Sequence, residues 1–515
     1  MTKRSKIKPI LLWVLRVIIY ALSILGSLLM VSLKWLKETW GPVSFSTALF
    51  QIKTPMVGVD SNIVETYVKD IAMPAVLIPL LGIIILCLVT KAMKTTGYSL
   101  KVGINKLGIL DITYRPIVVI GTIGLLIGCW AQVPGLAKDT GVPDYVDSLI
   151  HRSTIYENYY VVPTDDLLTF PEQKRNLVLI YVESLESSYL SVDEGGGMPS
   201  NLIPNITAIA SENVSFSNTD SFGGATQTQN VGWTMAALLT TSSGVTYNAP
   251  IDSNDMQSYS RFLPGLRTLG DILYDNGYDN YFVCGSDSGF GGRKSYFLSH
   301  GNYAIHDYTY ASETGYLPAG YHNGYWGMGD AQLFDMAREE LTSIASEGRP
   351  FNYTILTADT HPPEGFVCDL CEPIEGEGQL QTAIRCSDRQ VSQFVEWLKE
   401  QDWYENTTVI IIGDHLLMSD VLACQMPEGY QRHVFNCFIN LPSGVAPVNT
   451  NNRLFATTDY FPTILAAMGV EINGDRLGLG TNLFSERETL LEEMGEDAYN
   501  TEVLRYSDYY FNNFV

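Results

Sequence analysis

No stretch of this 515-residue chain carries the excess of cations that a nucleic-acid backbone demands. Lys and Arg number 32 against 56 Asp and Glu, for a formal net charge of −24. The acidic excess lies after residue 135, whereas Lys and Arg crowd the first part, so no basic recognition stripe exists and nucleic acid is excluded as a partner. Low-complexity tracts are scarce as well, and an apolar content of 46% is incompatible with a disordered chain. Cysteine is sparse, with eight residues. Cys368 and Cys371 form a CxxC, but no second CxxC or His pair stands at zinc-finger spacing, so a local or paired disulfide of open connectivity is expected among the outer cysteines.

What the chain does have is long apolar runs near its start. Ile10–Leu33, Ile71–Thr90 and Pro116–Val133 each approach the ~20 residues with which a helix crosses ~30 Å of hydrocarbon. The first follows Lys3, Arg4, Lys6 and Lys8, yet no small-x-small cleavage site comes after it, which favours an uncleaved anchor over a signal peptide. Cations in the N-terminal tail and at Lys91, Lys94, Lys101, Lys106 and Arg115 predict that both segments are cytoplasmic. Residues 1–134 then read as a three-helix anchor, 135–169 as a juxtamembrane linker with short helices, and 170–515 as a domain on the outer face. Cys87 and Cys129 fall in the anchor and the other six cysteines in the outer domain.

The outer domain alternates strand and helix patterns. "NLVLIYVES" (176–184), "YFVCGSD" (281–287), "YTILTAD" (353–359) and "TTVIIIG" (407–413) read as strands, with helices expected at 234–241, 265–277, 330–344 and 386–401. The fold class is therefore α/β, a doubly wound domain following transmembrane helices. Val409–Ile412 is a run of four β-branched residues, as in a strand covered on both faces. In such sheets ligands bind beyond the carboxyl ends of the strands. There stand Glu183, Asp287, Asp359 with His361, and the adjacent pair Asp414 and His415. Glu183, Asp414 and His415 make a hard, mixed O/N donor set suited to a divalent ion such as Mn²⁺ or Zn²⁺, and a tetrahedral site needs one more ligand. "GGATQTQNVGWTMAALL" (223–239) offers a hydroxyl, Thr228 or Thr226, before a helix whose N-terminus favours an anion. Coordination to a dication would activate that hydroxyl as a nucleophile.

Together, "YVES", the Gly-rich threonine segment, "WGMGDAQLF", "ADTHPPEGF", "IIIGDHLLM" and "DYFPTILAAMGV…RLGLGTNLF" resemble the lipoteichoic acid synthase and phosphoglycerol transferase I branch of the alkaline phosphatase/sulfatase superfamily, over roughly residues 170–485. "DTHPPEGF" followed by Cys371 is more similar to the phosphoglycerol transferase I type. The resemblance implies a multi-pass protein of the bacterial cell membrane with an extracytoplasmic catalytic domain. It would move glycerol phosphate from phosphatidylglycerol to an envelope glycan or a glycerol phosphate polymer through a phospho-threonine. It implies one divalent metal ion, Mn²⁺ first with Zn²⁺ or Mg²⁺ as alternatives, held by Glu183, Asp414, His415 and the nucleophile, with Glu186 competing for the first position. The family's spacing to Met235 points to Thr228, with Thr226 next, and its substrate contacts map to His361, Arg293 and Asp287. The stretch "CGSDSGFGGRKSYF" departs from the synthase pattern, which has a His before the Asp and a Trp before the Arg. A phosphoethanolamine transferase or a phosphodiester hydrolase of the same superfamily is the alternative. A sulfatase activity is disfavoured, since 223–239 contains no C/S-x-P-x-R from which formylglycine could form.

Overall fold

A computed structural model describes residues 4–40, 67–97, 100–104, 108–248, 262–419 and 421–515. Lys3 and Lys106, used above for orientation, lie outside these residues. The described residues up to Pro143 form one compact unit and those from Asp144 to Val515 another.

The first unit is built on helices α1 (Arg4–Trp40), α2 (Met73–Thr96, entered through a π-helical turn at Tyr67–Ala72) and α3 (Tyr114–Trp130), with a hairpin pairing Leu100–Ile104 with Gly108–Ile112 between the last two. Among the described residues, three segments are long and apolar enough to cross a membrane: Trp13–Trp35, Tyr67–Thr96 and Tyr114–Asp139. Large apolar side chains cover their outer faces; Ile78 is 70% and Ile120 is 69% exposed, an arrangement that water penalises and lipid accepts. Where α1 meets α3, Gly26 leaves room for the Trp130 ring, whose Nε1 donates to the Leu22 carbonyl at 2.8 Å. A Cβ on Gly26 would lie 2.3 Å from that nitrogen.

The second unit is organised by a six-stranded sheet: β1 (Asn176–Val182), β2 (Asp279–Cys284), β3 (Ala304–His306), β4 (Phe351–Leu356), β5 (Thr407–Gly413) and β6 (Asn436–Ile439), in the order β3-β2-β4-β1-β5-β6. All neighbours are parallel except β5 and β6. Every residue of β1, β4 and β5 is buried. Leu177, Leu179, Tyr181, Ile410 and Ile412 enter one core with helices α4 (Thr234–Ser243) and α7 (Tyr460–Ala467). Val178, Ile180, Val182, Val409 and Ile411 enter the other, with α5 (Asp330–Ser346) and α6 (Gln379–Lys399). The β-branched run thus serves both faces, each side chain contributing about 1.5–3 kcal/mol by burial.

Several expectations shift. Strands β2 and β4 stop at Cys284 and Leu356, short of 287 and 359, because the chain turns where the polar residues begin. The short edge strands β3 and β6 had no pattern to announce them. The supposed linker, 135–169, is packed from Asp144 onward: Ile155 and Tyr156 are buried, Leu168–Thr169 pairs with Glu471–Ile472, and the Val161 N–H donates to the Gly478 carbonyl. Its tyrosines carry no period, but they pack against the aromatic C-terminal segment, with Tyr156 beside Tyr509, Tyr510 and Phe514.

The parallel register aligns Val182 with Gly413. Gly413 lies so close to the chain after β1 that a Cβ there would sit 1.9 Å from the Leu185 carbonyl oxygen. Gly413→Ala is therefore expected to part the ends of β1 and β5, lowering the midpoint of thermal unfolding and abolishing binding of divalent ions, both measurable on the detergent-extracted chain.

Candidate metal centre and active site

Each group at the sheet's carboxyl edge is fixed by the backbone just beyond its strand. Glu183 follows β1; its N–H donates to Thr357 Oγ1 at 3.0 Å and its carbonyl accepts from Thr360 Oγ1 at 2.6 Å. Ser184 then takes the left-handed region, with φ 53°, turning the chain away so that the Glu183 carboxylate faces β5. Asp414 Oδ1 accepts the N–H groups of Ser184 and His415, both at 2.8 Å. His415 Nδ1 is bonded to the Leu416 carbonyl at 2.9 Å, which turns Nε2 inward.

His415 Nε2 lies 3.6 Å from Glu183 Oε1 and 3.4 Å from Asp414 Oδ2, and all three side chains are buried. A fourth group joins them: Thr234 Oγ1 stands 3.4 Å from both Glu183 Oε2 and His415 Nε2. These separations are long for hydrogen bonds. They are of the order expected between donors about 2.1 Å from a common ion, about 3.4 Å in a tetrahedron, with Glu183 Oε1 the oxygen nearest His415 and Oε2 the one nearest Thr234. Asp414 Oδ2 has no hydrogen-bond partner among the described residues. Two buried carboxylates, an imidazole nitrogen and a hydroxyl thus fit a divalent ion, and the carboxylates and imidazole form a candidate acidic/His metal site. Burial and the Glu183 charge push the Asp414 pKa up to about 7. For His415, burial opposes protonation, but Asp414 and Glu183 outweigh it and raise its pKa.

The hydroxyl in this group is not the one expected. Thr228 and Thr226 are buried, at 4% and 6% exposure, with side-chain oxygens that have no partner among the described residues. Thr226 is held through its backbone, its N–H donating to the Phe455 carbonyl at 2.8 Å. The helix does not begin near Asn230, which adopts a positive φ of 64°; Trp233 is extended and α4 starts at Thr234. Hence Thr234, half-buried, presents its hydroxyl at the helix N-terminus. The signal was available, since the helical pattern itself begins at 234. Gln227 does support the site: its Oε1 accepts the Leu416 N–H at 2.7 Å. Glu186 is committed elsewhere, to Arg432 and the Leu417 N–H.

The expected substrate contacts divide. His361 Nδ1 is bonded to the Pro362 carbonyl at 2.8 Å, leaving Nε2 available, and its ring lies 4.9 Å from that of Trp326. Desolvation, with the nearby His415 and Arg293 charges adding to it, pushes its pKa down to about 4, so it is neutral. Arg293 is buried and pinned, Nε to the Phe290 carbonyl and Nη2 to the Asp287 carbonyl, at 3.0 and 2.8 Å. The positive-φ pair Gly291-Gly292 carries it toward α4, where Gly291 faces Met235. Asp287 is exposed, and its carboxylate accepts the Gly289 N–H at 2.8 Å; the structure uses it to shape this loop and gives it no contact with the acidic/His group. Asp359 pairs with Asp330, whose N–H it accepts at 3.0 Å while Asp330 accepts the Ala358 and Asp359 N–H groups. Burial and the Asp330 charge push Asp359 up to about 9.

A parallel sheet with an acidic/His cluster beyond β1 and β5 defines a phosphatase- or sulfatase-like α/β domain. The Sulfatase family model matches residues 175–470, and the chain belongs to that family. Phosphoglycerol transferase I of Xanthomonas campestris pv. campestris (strain B100) is 36% identical over 336 residues, 63% of this chain and 45% of that protein. Phosphoglycerol transferase I of Salmonella newport (strain SL254) is 33% identical over 270 residues, 51% of this chain and 33% of that protein. The chain spans less than half the length of these curated relatives. Among solved structures, the lipoteichoic acid synthase LtaP from Listeria monocytogenes is 16% identical, with 64% of this chain and 80% of that chain covered and a TM-score of 0.48. The resemblance to this superfamily, and to phosphoglycerol transferase I within it, is borne out.

Elemental analysis after gel filtration is expected to find stoichiometric divalent metal in the wild-type chain. Glu183→Gln and Asp414→Asn should abolish it, whereas Thr228→Ala should retain it.

Proposed function

We propose that the chain is a membrane-anchored, metal-dependent phosphoglycerol transferase with Thr234 as its nucleophile. The observation that carries this reading is the Thr234 hydroxyl, half-buried at a helix N-terminus and 3.4 Å from both Glu183 and His415. The relatives named phosphoglycerol transferase I support the choice of group transferred. The donor is phosphatidylglycerol and the acceptor a hydroxyl of an envelope glycan or glycerol phosphate polymer. Glu183, Asp414, His415 and Thr234 would hold the metal, with Mn²⁺ preferred over Zn²⁺ because three of the four donors are oxygens and over Mg²⁺ because the fourth is an imidazole. A divalent ion held there supplies Lewis acidity that favours ionisation of a hydroxyl near neutral pH.

Thr234 Oγ1 attacks the lipid phosphorus, a P–O bond forms to threonine, and diacylglycerol leaves with a proton. The free N–H groups of the first turn of α4 and the Arg293 guanidinium offset charge on the phosphoryl oxygens. His361, neutral and with Nε2 available, accepts the proton of the acceptor hydroxyl as that oxygen attacks the phospho-threonine. The apolar helices keep the domain beside a lipid donor, raising the effective concentration of that donor. The cation distribution supports an outer-face location for the domain.

Thr234→Ala is expected to lower diacylglycerol release from phosphatidylglycerol by roughly 10³-fold or more, while Thr228→Ala retains turnover and Thr234→Ser recovers part of it. Mass spectrometry should find the glycerol phosphate adduct on Thr234; an adduct on Thr228 with activity surviving in Thr234→Ala would return the role to Thr228. For topology, a reporter fused after Val515 should be active only outside the cytoplasm and one inserted within 95–112 only inside it; the reverse would overturn the orientation.

A further inference from the structure

Beyond the site, the segment that carries His361 ends in a cluster of three sulfurs. Cys371 and Cys386 form a disulfide that ties this segment to α6, with Cα atoms 5.0 Å apart. Cys368 is free and partly accessible, and its Sγ lies 3.6 Å from Cys371 Sγ and 4.0 Å from Cys386 Sγ, in van der Waals contact with a bond it does not share. The local hydrogen bonds keep the three sulfurs together, and exchange needs Cys368 Sγ to rotate from beside the Cys371–Cys386 bond into line with it. The Cys368 N–H donates to Cys371 Sγ at 3.2 Å, and the Cys371 N–H to the Cys368 carbonyl at 3.0 Å, so the tight turn from 368 to 371 already holds these two sulfurs together. Buried Gln390 directs Nε2 at Cys386 Sγ, 3.3 Å away, and at Cys368 Sγ, 3.9 Å away, where an N–H donor stabilises whichever sulfur is left as thiolate. Its Oε1 has no partner among the described residues, which leaves a buried acceptor for a thiol proton on the same side chain.

We propose that Cys368, Cys371 and Cys386 form a three-sulfur exchange site in which Cys371 is bonded alternately to Cys386 and to Cys368. The Cys368 thiolate attacks Cys371 Sγ; the Cys368–Cys371 bond forms, the Cys371–Cys386 bond breaks, and Cys386 departs as a thiolate that takes up the proton Cys368 lost. The step is isomerisation of one disulfide, with no net oxidation and no external reagent. In one state the His361 segment is bolted to α6; in the other it is closed only on itself and held to the helix by Arg385–Glu377 and by Arg389 on the Leu370 carbonyl. The inference does not depend on the reaction assigned to the metal centre.

The test is an acid quench of the full-length chain in detergent, then alkylation with a maleimide under denaturing, weakly acidic conditions and peptide mapping. Label is expected on both Cys368 and Cys386 in the wild type with none on Cys371, and loss of the Cys386 label in Cys368→Ser, whose remaining pair stays bonded. Cys386→Ser should carry a Cys368–Cys371 bridge. Wild-type label confined to Cys368 would overturn the proposal. So would a Cys386 label that persists in Cys368→Ser, which would mean incomplete oxidation. Three labelled thiols that become protected on adding Zn²⁺ would replace it with a thiolate metal site.

Discussion

Asp414 Oδ1 accepts the peptide N–H groups of Ser184 and His415, and the geometry of the site hangs on that pair of bonds. One carboxylate oxygen fastens the end of β1 to the end of β5, so Glu183 and His415, more than two hundred residues apart, are set to within hydrogen-bond precision of one another. The bonds occupy one oxygen and leave Oδ2 facing His415 Nε2. Gly413 permits the close approach, and the positive φ of Ser184, which costs of order 1 kcal/mol or more in a residue with a side chain, re-aims the chain. The strain is spent on position.

Much of this was legible. Strands buried on both faces read as unbroken β-branched runs, and the polar residue that ends such a run marks the sheet edge where chemistry gathers. That logic singled out Glu183, Asp414 and His415, which the structure brings into one buried cluster, without any knowledge of pairing. It could not supply strand order, which depends on tertiary contacts between β1 and its distant neighbours β4 and β5, nor the short edge strands, whose three and four residues are below the length at which a period is visible. The packed stretch from Asp144 to Thr169 escaped for a related reason: aromatic side chains that meet a C-terminal segment leave no local pattern.

The threonine shows what spacing alone cannot supply. A count back from Met235 selects Thr228, but the segment before α4 is not a regular element whose residues can be counted off. Asn230 turns it with a positive φ, Asn500 and Val503 hold it through the Gln229 N–H and the Asn230 side chain, and Gln227 reaches the Leu416 N–H. The hydroxyl that lies beside the acidic/His cluster is set by where the helix begins, and that boundary lies at Thr234 because Trp233 is extended. Asp287 is likewise placed by its own loop, its carboxylate accepting the Gly289 N–H and its carbonyl anchoring Arg293.

Two pairs of carboxylates stand at this one edge of the sheet, and the protein relieves their repulsion in different ways. Burying an unpaired carboxylate is costly, so such a group must find a proton, a cation or several N–H donors. Asp359 and Asp330 are braced by backbone N–H bonds, and burial with the Asp330 charge pushes the Asp359 pKa up to about 9, so protonation of Asp359 relieves the repulsion at neutral pH where the pair joins β4 to α5. Glu183 and Asp414 face an imidazole whose Nε2 is turned toward both, and Asp414 Oδ2, like Asp359 Oδ1 in the other pair, has no hydrogen-bond partner among the described residues. A proton could satisfy that oxygen, but it would not account for the buried imidazole and the Thr234 hydroxyl gathered beside the same carboxylates. A divalent cation would account for the inward-facing imidazole and the nearby hydroxyl together, which makes the second pair, with its imidazole, the candidate metal site.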